Sequence, residues 1–372
     1  ITPLPNGSGN SKFDLIRDVL HILTNPMSSP YFATCTVPSD PELPRVPEGC
    51  ITRAEVDTMV KNINMGLMIM NPSGSDKGGY VRSHIRRMDV ADNRTKLWNS
   101  IGSEQKGIPQ ANNAPYAKLM HEAYLYFAGK PAYAGFSSSV YDPEARNLSN
   151  YRSPILDVCQ PNYIIFIGNG APDKSEDGDA RTLLDEELDG VLSSDPIRFP
   201  ANTAHSNWTD EYARTLNRTD LSTLSGEQKA TTYTIAIMNP ADNNFNTKPR
   251  EEARQLLESA ALQGGGEYAL GENGQAVLKA VLSALRKMQP VNSVFAAVTL
   301  PVSVNVRGTF LNQVYMGQFR PDANARPRWP GNLKQYQIGL NANDEPILVD
   351  RNKKAVEDTA KGFLLPDITS FW

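Results

Sequence analysis

Asn169 stands where a wholly apolar segment of the chain stops, and it is the first residue to consider for chemistry. Residues 163–167 (Tyr-Ile-Ile-Phe-Ile) run without a polar break and end at Gly168-Asn169-Gly170. A short apolar run bounded by glycine predicts a strand buried on both faces, at the centre of a sheet. In an open parallel sheet, ligands bind beyond the carboxyl ends of such strands, where a carboxylate would be the useful group. The sequence offers an amide there instead.

A second candidate follows directly, in the acidic run from Asp173 to Asp179. Its spacing matches the first half of a calcium-binding loop, with Gly178 at the sixth position. The twelfth position, however, is Leu184, where such a loop needs a bidentate glutamate. The alternative is a set of acidic residues at a helix N-terminus, where the helix dipole favours negative charge. We favour this second interpretation.

The chain contains three cysteines, of which two flank a proline-rich loop. Cys35 and Cys50 enclose Pro38, Pro41, Pro44 and Pro47. A loop with so little core of its own is the kind that a disulfide stabilises, so we predict a Cys35–Cys50 bridge. Three reduced, buried thiols are the alternative, and Cys159 is either free or paired elsewhere. The cysteines and four histidines show no zinc-ligand spacing.

Bulk composition excludes several classes of function. The 372 residues are 40% hydrophobic and 21% charged, with a net charge of -4, which is unlike a non-specific nucleic-acid binder. No apolar run approaches the ~18 residues that span a bilayer. Motifs for nucleophilic hydrolases, phosphate-binding loops and zinc proteases are absent. Because the chain begins at Ile1 and ends on Phe371-Trp372, we expect it to be a fragment whose signal peptide was removed or lies outside it.

The order of elements predicts the fold class. Up to Gln289, apolar strands alternate with amphipathic helices, as in α/β proteins with a mostly parallel central sheet flanked by helices. After Pro290 the pattern changes to β-type segments separated by turn residues. We therefore predict one α/β domain over residues 1–290, with loop insertions, and a small β-rich region over residues 291–372.

Several motifs resemble one family. They include residues 64–71 (Asn-Met-Gly-Leu-Met-Ile-Met-Asn), residues 114–119 followed by Tyr-Leu-Tyr-Phe at 124–127, residues 159–165 (Cys-Gln-Pro-Asn-Tyr-Ile-Ile), and residues 329–334 (Trp-Pro-Gly-Asn-Leu-Lys). The chain resembles the von Willebrand factor A-like region of the PilY/PilC family of type IV pilus biogenesis factors and tip adhesins. The resemblance implies a Rossmann-like fold over residues 1–290, and a connector over 291–372 that leads to a C-terminal domain.

The resemblance also points to a metal-binding edge that has lost its ligands. In A-type domains an Asp-x-Ser-x-Ser turn, a threonine and a second aspartate supply oxygens to a divalent cation. Here the threonine position corresponds to Ala114 and the second aspartate to Asn169, while Ser8 lies in a degraded turn, Asn6-x-Ser8-x-Asn10, that no apolar strand precedes. The family's first strand therefore lies upstream of Ile1 or is missing. Because only neutral oxygens remain, we expect no cofactor, and at most weak binding of calcium or magnesium.

The function that follows is non-enzymatic. The resemblance implies priming of the pilus with minor pilins and contact with a host or abiotic surface, after export through the periplasm to the pilus tip. We assign these contacts to the insertions at residues 26–50, 130–159 and 193–228, because loops on a rigid scaffold carry recognition. The alternatives are a metal-dependent ligand-binding module, and an α/β enzyme with catalytic residues upstream. The enzyme would need a perturbed acid–base pair near Asn169.

Overall fold

The chain divides into two compact units, Ile1–Gln289 and Pro290–Trp372. The computed structural model describes residues 12–25, 53–70, 78–102, 114–136, 141–158, 160–187, 196–200, 205–242, 244–288, 295–297, 313–319, 331–341, 344–358, 363–364 and 368–371. Ser8 and all three cysteines, Cys35, Cys50 and Cys159, lie outside the described residues. The disulfide and the degraded turn therefore stay predictions.

The described part of the first unit contains eight α-helices. They are α1 (Lys12–Thr24), α2 (Arg53–Lys61), α3 (Ala91–Gly102), α4 (Tyr116–Ala128), α5 (Asp177–Glu187), α6 (Thr209–Arg218), α7 (Lys248–Gln263) and α8 (Gly274–Met288). The strands of this unit are β1 (Asn64–Met70), β2 (Gly79–Arg87), β3 (Arg146–Asn147), β4 (Asn150–Tyr151), β5 (Asn162–Gly168), β6 (Ala230–Ala236) and β7 (Gly265–Leu270).

Local sequence explains where the best-defined helices begin and end. Helix α7 starts after Thr247, with a proline in its first turn, and ends at Gly264. Helix α4 ends at Gly129, whose φ of 63° is left-handed and whose amide caps the carbonyls of Leu125 and Tyr126. A side chain at that φ would be strained, so glycine is the residue suited to this stop.

The parallel sheet contains β5, β6 and β7, with β6 in the middle. Placing β5 at the centre was wrong, because within the described residues it pairs only with β6. Its predicted burial on both faces is also incomplete. Asn162, Phe166 and Gly168 are buried, whereas the side chains between them are half-buried. The fold is thus mixed α/β with a parallel sheet, and β5 is an end strand of that sheet as described.

Strands β1 and β2 form an antiparallel hairpin in a sheet of their own. The apolar side chains of β1 are half-buried over its length, although the composition of residues 65–70 is that of a buried strand. On β2, the backbone edge that faces away from β1 is occupied: the amide of Asp142 donates to Val81 O (2.9 Å) and the carboxylate of Asp142 accepts from the amide of His84 (2.8 Å).

Two hydrophobic cores lie on the two faces of these sheets. The α4 core contains buried side chains of α4, α6 and α7, with Phe166 of β5 and Val81 of β2. The α8 core contains side chains of α1, α2 and α8, together with Ile235 of β6. Helices therefore cover both faces, as the alternation of strands and helices predicts.

The predicted loop insertion at residues 130–160 is partly structured. It contains a short 3₁₀ turn, Pro143–Ala145, and the two-residue strands β3 and β4. Asp142 caps the turn by accepting from the amide of Glu144. These contacts give the insertion a defined shape on the scaffold.

The second unit is built from antiparallel strands, as its composition predicts. They are β8 (Phe295–Ala297), β9 (Gln313–Phe319), β10 (Gly331–Leu340), β11 (Pro346–Val349), β12 (Glu357–Asp358) and β13 (Phe363–Leu364). Four of them form one sheet in the order β11-β10-β9-β8. Tyr336 and Val356 are the buried centre of its small core, with Leu348 and Ile368 against them.

Candidate functional site

The carboxyl end of β5 is closed by the side chain of Tyr116, the first residue of α4. The Tyr116 hydroxyl donates to Gly170 O at 3.0 Å, and accepts from the amides of Asn169 at 3.0 Å and Gly170 at 3.3 Å. The ring lies edge-on to Phe166, with centroids 5.0 Å apart. A Cβ at Gly168 would lie 2.8 Å from the Tyr116 hydroxyl oxygen, so glycine there permits the approach.

Ala114 and Asn169, the two described positions of the expected metal edge, both lie at this end of the sheet. Ala114 forms a parallel bridge with Pro172 and accepts from the amide of Asp173 at 2.9 Å. The structure thus brings both positions to one edge, as the resemblance implies. Neither residue carries a charge, and the backbone amide of Asn169 is already bonded to Tyr116.

Glu176 is buried just behind this edge, and it caps a helix other than its own. Its carboxylate accepts from the amides of Ala117 and Lys118 in the first turn of α4, both at 3.0 Å. The Asn207 side chain donates to it as well, at 2.7 Å. Pro115, at the N-cap of α4, offers no side-chain cap of its own. Glu176 therefore satisfies amides that would otherwise be orphaned.

The other acidic residues of the run from Asp173 to Asp179 lie at the start of α5, as helix caps or in an ion pair. This is the interpretation that we favoured from the sequence. Asp173 caps a 3₁₀ turn by accepting from the amide of Ser175 at 3.0 Å. Asp177 and Asp179 lie in the first turn of α5, and Asp179 pairs with the buried Lys118 at 3.0 Å. Across the described residues, no group of three or more His, Cys, Asp or Glu is arranged to hold a metal ion. The run is thus accounted for by helix caps and an ion pair.

Burial dominates the electrostatics of this edge. It raises the pKa of Tyr116 to about 12, so the hydroxyl keeps its proton at physiological pH. Burial also raises the pKa of Glu176 to about 7, against the opposing effect of the amides that donate to its carboxylate. The enzyme hypothesis requires a carboxyl group with a perturbed pKa near Asn169, and Glu176 is such a group. Glu176 is fully buried, however, and its oxygens are occupied by backbone and side-chain donors.

Two further acidic residues are buried together at the start of α6. Ser259 Oγ donates to Asp210 at 2.6 Å, and the amide of Ile197 donates to Glu211 at 2.7 Å. Burial raises the pKa of both carboxyls, and the charge of Asp210 raises that of Glu211 further. Both side chains are almost fully buried. The pair therefore lies inside the fold rather than on its surface.

The histidines serve packing and hydrogen bonding. His121 is buried between Tyr133 and Tyr212, and burial lowers its pKa to about 4. His84 Nδ1 lies 2.8 Å from the Tyr126 hydroxyl, and burial lowers the pKa of this histidine as well. The contacts of these two histidines are therefore packing and hydrogen-bonding contacts.

An open cleft of about 310 Å³ lies at the opposite, amino end of the parallel sheet. Its lining includes Gln160 and Asn162, which follow the position of Cys159, and Lys229 before β6. The Asn162 amide group donates to the carbonyls of Gln160 (3.1 Å) and Lys229 (3.3 Å), so it holds two loops together. The asparagine and glutamine of the Cys-Gln-Pro-Asn motif therefore have a structural explanation.

Sequence reasoning missed two residues that decide what this edge can do, Tyr116 and Glu176. Tyr116 was quoted only as part of a helix start, and Glu176 only as one acid among several. A partial signal existed for Tyr116, because a tyrosine at the first turn of a buried helix needs a partner for its hydroxyl. For Glu176 the sequence gives no comparable signal, since its partners lie 58 and 59 residues away.

No known family model, curated protein or solved structure matches the chain. Among the described helices, none has the length and apolar character needed to cross a membrane.

Proposed function

We propose that the chain is a non-enzymatic binding domain of the type IV pilus apparatus, with a von Willebrand factor A-like arrangement. Its partners are minor pilins during assembly and a host or abiotic surface during adhesion. It acts after export through the periplasm, at the pilus tip. The single observation that carries the proposal is the exposure of large apolar side chains on the structured insertion at residues 130–158.

Two leucines of this insertion are almost fully exposed. Leu148 is 83% exposed and Leu156 is 81% exposed. Leu148 also has a φ of 58° in the turn between β3 and β4, a conformation that branched side chains seldom adopt. Unfavourable backbone held in place by its surroundings is characteristic of recognition sites. An exposed leucine presented in this way suits contact with a partner.

The insertion is held to the scaffold by specific contacts, so these leucines are presented rigidly. Within the insertion, the Arg146 guanidinium lies 5.0 Å from the centroid of the Phe136 ring. The Tyr151 hydroxyl donates to the buried Glu122 at 2.6 Å, and Ser153 Oγ donates to Phe127 O at 2.6 Å. Rigid presentation lowers the entropy lost on binding.

The closed end of β5 supports binding without a cation. A-type modules that depend on a metal place acidic and hydroxyl side chains at this edge. Here Ala114 and Asn169 take those positions, and the Tyr116 hydroxyl bonds the backbone of Asn169 and Gly170. The arrangement of helices on both faces of the two sheets supports the A-type likeness at the level of the fold.

Adhesion of cells that carry leucine variants tests the proposal. In a piliated bacterium that encodes this protein, we would compare Leu148→Asp and Leu156→Asp with the matched variant Leu262→Asp. Leu262 is 62% exposed on α7, outside the insertion. If each leucine contributes about 1–2 kcal/mol to contact, adhesion falls roughly 5- to 30-fold in the insertion variants alone. Adhesion that is equal in all three strains would refute the assignment.

The proposed role in pilus assembly is tested by two separate experiments. Immobilised wild-type chain should retain minor pilins from a purified mixture, and deletion of the gene should reduce the number of surface pili. The leucine variants should keep normal pilus numbers if the insertion serves adhesion. Normal piliation after the deletion, together with no retention of minor pilins, would remove the assembly role.

A further inference from the structure

The open cleft at the amino end of the parallel sheet has a volume of about 310 Å³ and lies where β5 and β6 begin. Pockets for small molecules start at about 300 Å³, so this cleft suits one small ligand. Neither Leu148 nor Leu156 is among its described lining residues. A ligand bound in the cleft would therefore be recognised independently of the two leucines that carry the proposed function.

Two half-buried side chains, Tyr163 of β5 and Thr231 of β6, line the cleft side by side. They are partners in the parallel register, so they lie on the same face of the sheet. Neither hydroxyl makes a hydrogen bond to another described residue, and neither hydroxyl oxygen is buried. Each can therefore donate to a ligand and accept from it, and the Tyr163 ring adds an apolar surface beside them.

The charges at the cleft balance each other. Glu227 Oε2 lies 2.5 Å from Lys229 Nζ, and both side chains line the cleft. The Glu227 side chain is 71% exposed and the Lys229 side chain is 38% exposed, so both remain accessible to a ligand. Because the described lining contains one acid and one base, it favours a neutral ligand with several hydrogen-bonding groups over an anion or a cation.

Amide side chains hold the two walls of the cleft in place. Gln228, which is almost fully buried, donates to Val158 O at 3.1 Å. Asn162 donates to Lys229 O at 3.3 Å, and its own oxygen accepts from Gln160 at 2.8 Å. The walls are thus joined before any ligand arrives, and a preformed site loses less entropy on binding.

These internal bonds leave side chains, rather than backbone, to meet a ligand. The wall carbonyls of Val158 and Lys229 already accept hydrogen bonds from the amide side chains. A peptide strand needs free backbone partners. An aliphatic ligand would leave the hydroxyls of Tyr163 and Thr231 unpaired. A small molecule that carries several hydroxyl groups of its own avoids both difficulties.

We propose that the cleft binds one neutral pyranose unit of a carbohydrate. The C–H face of the sugar packs against the Tyr163 ring. The sugar hydroxyls bond to the Thr231 hydroxyl, donate to the Glu227 carboxylate and accept from the Lys229 ammonium. Because Glu227 and Lys229 are adjacent, they offer an acceptor and a donor to two neighbouring hydroxyls of the same sugar.

Saturation-transfer NMR with defined sugars tests the inference on the chain of residues 1–372. The probes are glucose, galactose, mannose and N-acetylglucosamine, each as the free sugar and as the methyl glycoside. At least one should bind with a Kd of about 0.1–10 mM, as expected for a ligand of so few atoms. A glycoside that binds as well as its free sugar supports a unit of a glycan chain, and a glycoside that is rejected supports a free sugar.

Variants of the lining locate the bound sugar. Glu227→Ala removes a charged acceptor and should weaken affinity about tenfold, while Thr231→Val removes one neutral hydroxyl and should weaken it about fivefold. The matched control is Glu267→Ala, because Glu267 is also an exposed acid paired with a lysine but lies on β7, outside the described lining. Affinity in the control should equal that of the wild type.

Several results would overturn the inference. One is that no neutral sugar binds at about 50 mM, and another is that glucosamine or glucuronic acid binds more than about tenfold tighter than glucose. Affinity that Glu227→Ala and Thr231→Val leave unchanged would place the sugar elsewhere. If the variants unfold, amide exchange of the wild type decides: saturating sugar should slow exchange in residues 158–163 and 227–231 about threefold relative to α7, and no slowing would refute the site.

Discussion

The Tyr116 hydroxyl lies 3.0 Å from Gly170 O and bonds helix α4 to the loop that follows β5 across 54 residues of sequence. The same oxygen accepts from the amides of Asn169 and Gly170. One side chain therefore satisfies the backbone at the end of the strand where A-type domains hold a cation. These hydrogen bonds hold the start of α4 against the loop that follows β5.

Removing that hydroxyl should cost stability. Tyr116→Phe leaves buried backbone groups of Asn169 and Gly170 without their partner, so we expect a loss of about 1–3 kcal/mol in the free energy of unfolding. Urea denaturation measures it. The matched control is Tyr163→Phe, because the Tyr163 ring on β5 is only half-buried; it should change stability by less than about 0.5 kcal/mol. Equal losses in both variants would show that the Tyr116 bonds contribute nothing specific.

The wild-type chain should not bind calcium or magnesium at submillimolar concentration. The edge offers neutral oxygens, and cation affinity rises with the number of charged ligands. Isothermal titration calorimetry with each ion measures this directly. Submillimolar binding that Ser8→Ala or Asn169→Ala abolishes would make the protein a metal-dependent module and would contradict the metal-free interpretation.

Stability should rise as pH falls from about 8 to about 6.5. Burial raises the pKa of Glu122 and of Glu176 to about 7, from 4.5. A raised carboxyl pKa means that the folded state binds more protons than the unfolded state, so the stabilisation is complete below 4.5 and is lost as pH rises through 7. His121 opposes this below about pH 6.5, because its lowered pKa favours protonation of the unfolded chain.

Melting temperature measured between pH 5 and pH 8 tests this balance. Glu122→Gln removes one titrating group and should flatten the curve between pH 6.5 and pH 8. Glu227→Gln, a change at an exposed acid, should leave its slope as in the wild type. A wild-type melting temperature that rises steadily toward pH 8 would contradict the assigned direction of these pKa shifts.

Cutting the ion pair that holds the insertion should destabilise the first unit. Arg86 Nη1 lies 2.6 Å from Asp142 Oδ2, and both side chains are mostly buried. Asp142→Asn leaves the guanidinium with the more exposed Glu144, at 2.9 Å, as its remaining acidic partner among the described residues, so we expect a loss of about 3 kcal/mol. Chemical denaturation measures it. Lys96→Ala, which removes only an exposed partner of Glu144, should cost less than about 1 kcal/mol.

Cys35 and Cys50 should be linked by a disulfide in protein made in an oxidising compartment. The prediction comes from the proline-rich loop between them, which has little apolar sequence of its own. Peptide mapping by mass spectrometry without reduction would find the crosslink between Cys35 and Cys50. Alkylation of all three thiols in protein from an oxidising compartment would show that the bridge does not form.

Much of the element order was predictable, because each element carries its own local signal. Gly264 ends α7 and a strand follows it, as the run of three glycines indicates. The apolar side chains of α8 recur at helical spacing, so its sequence indicates a helix with one buried face. The pairing of strands was less predictable. The segment from Met65 to Met70 has the composition of a buried strand, yet its side chains are half-buried and it pairs antiparallel with β2. Strand partners depend on the neighbours, and strand composition does not specify them.

The sequence by itself determined that Ala114 and Asn169 carry no charge, and that a strand ends beside Asn169. Tertiary structure decided what occupies that edge. The Tyr116 hydroxyl reaches Asn169, and the Glu176 carboxylate reaches the amides of Ala117 and Lys118, only because α4 packs against the end of β5 and the start of α5. Hydrogen bonds between groups more than 50 residues apart require that packing first, and no local pattern of residues encodes it.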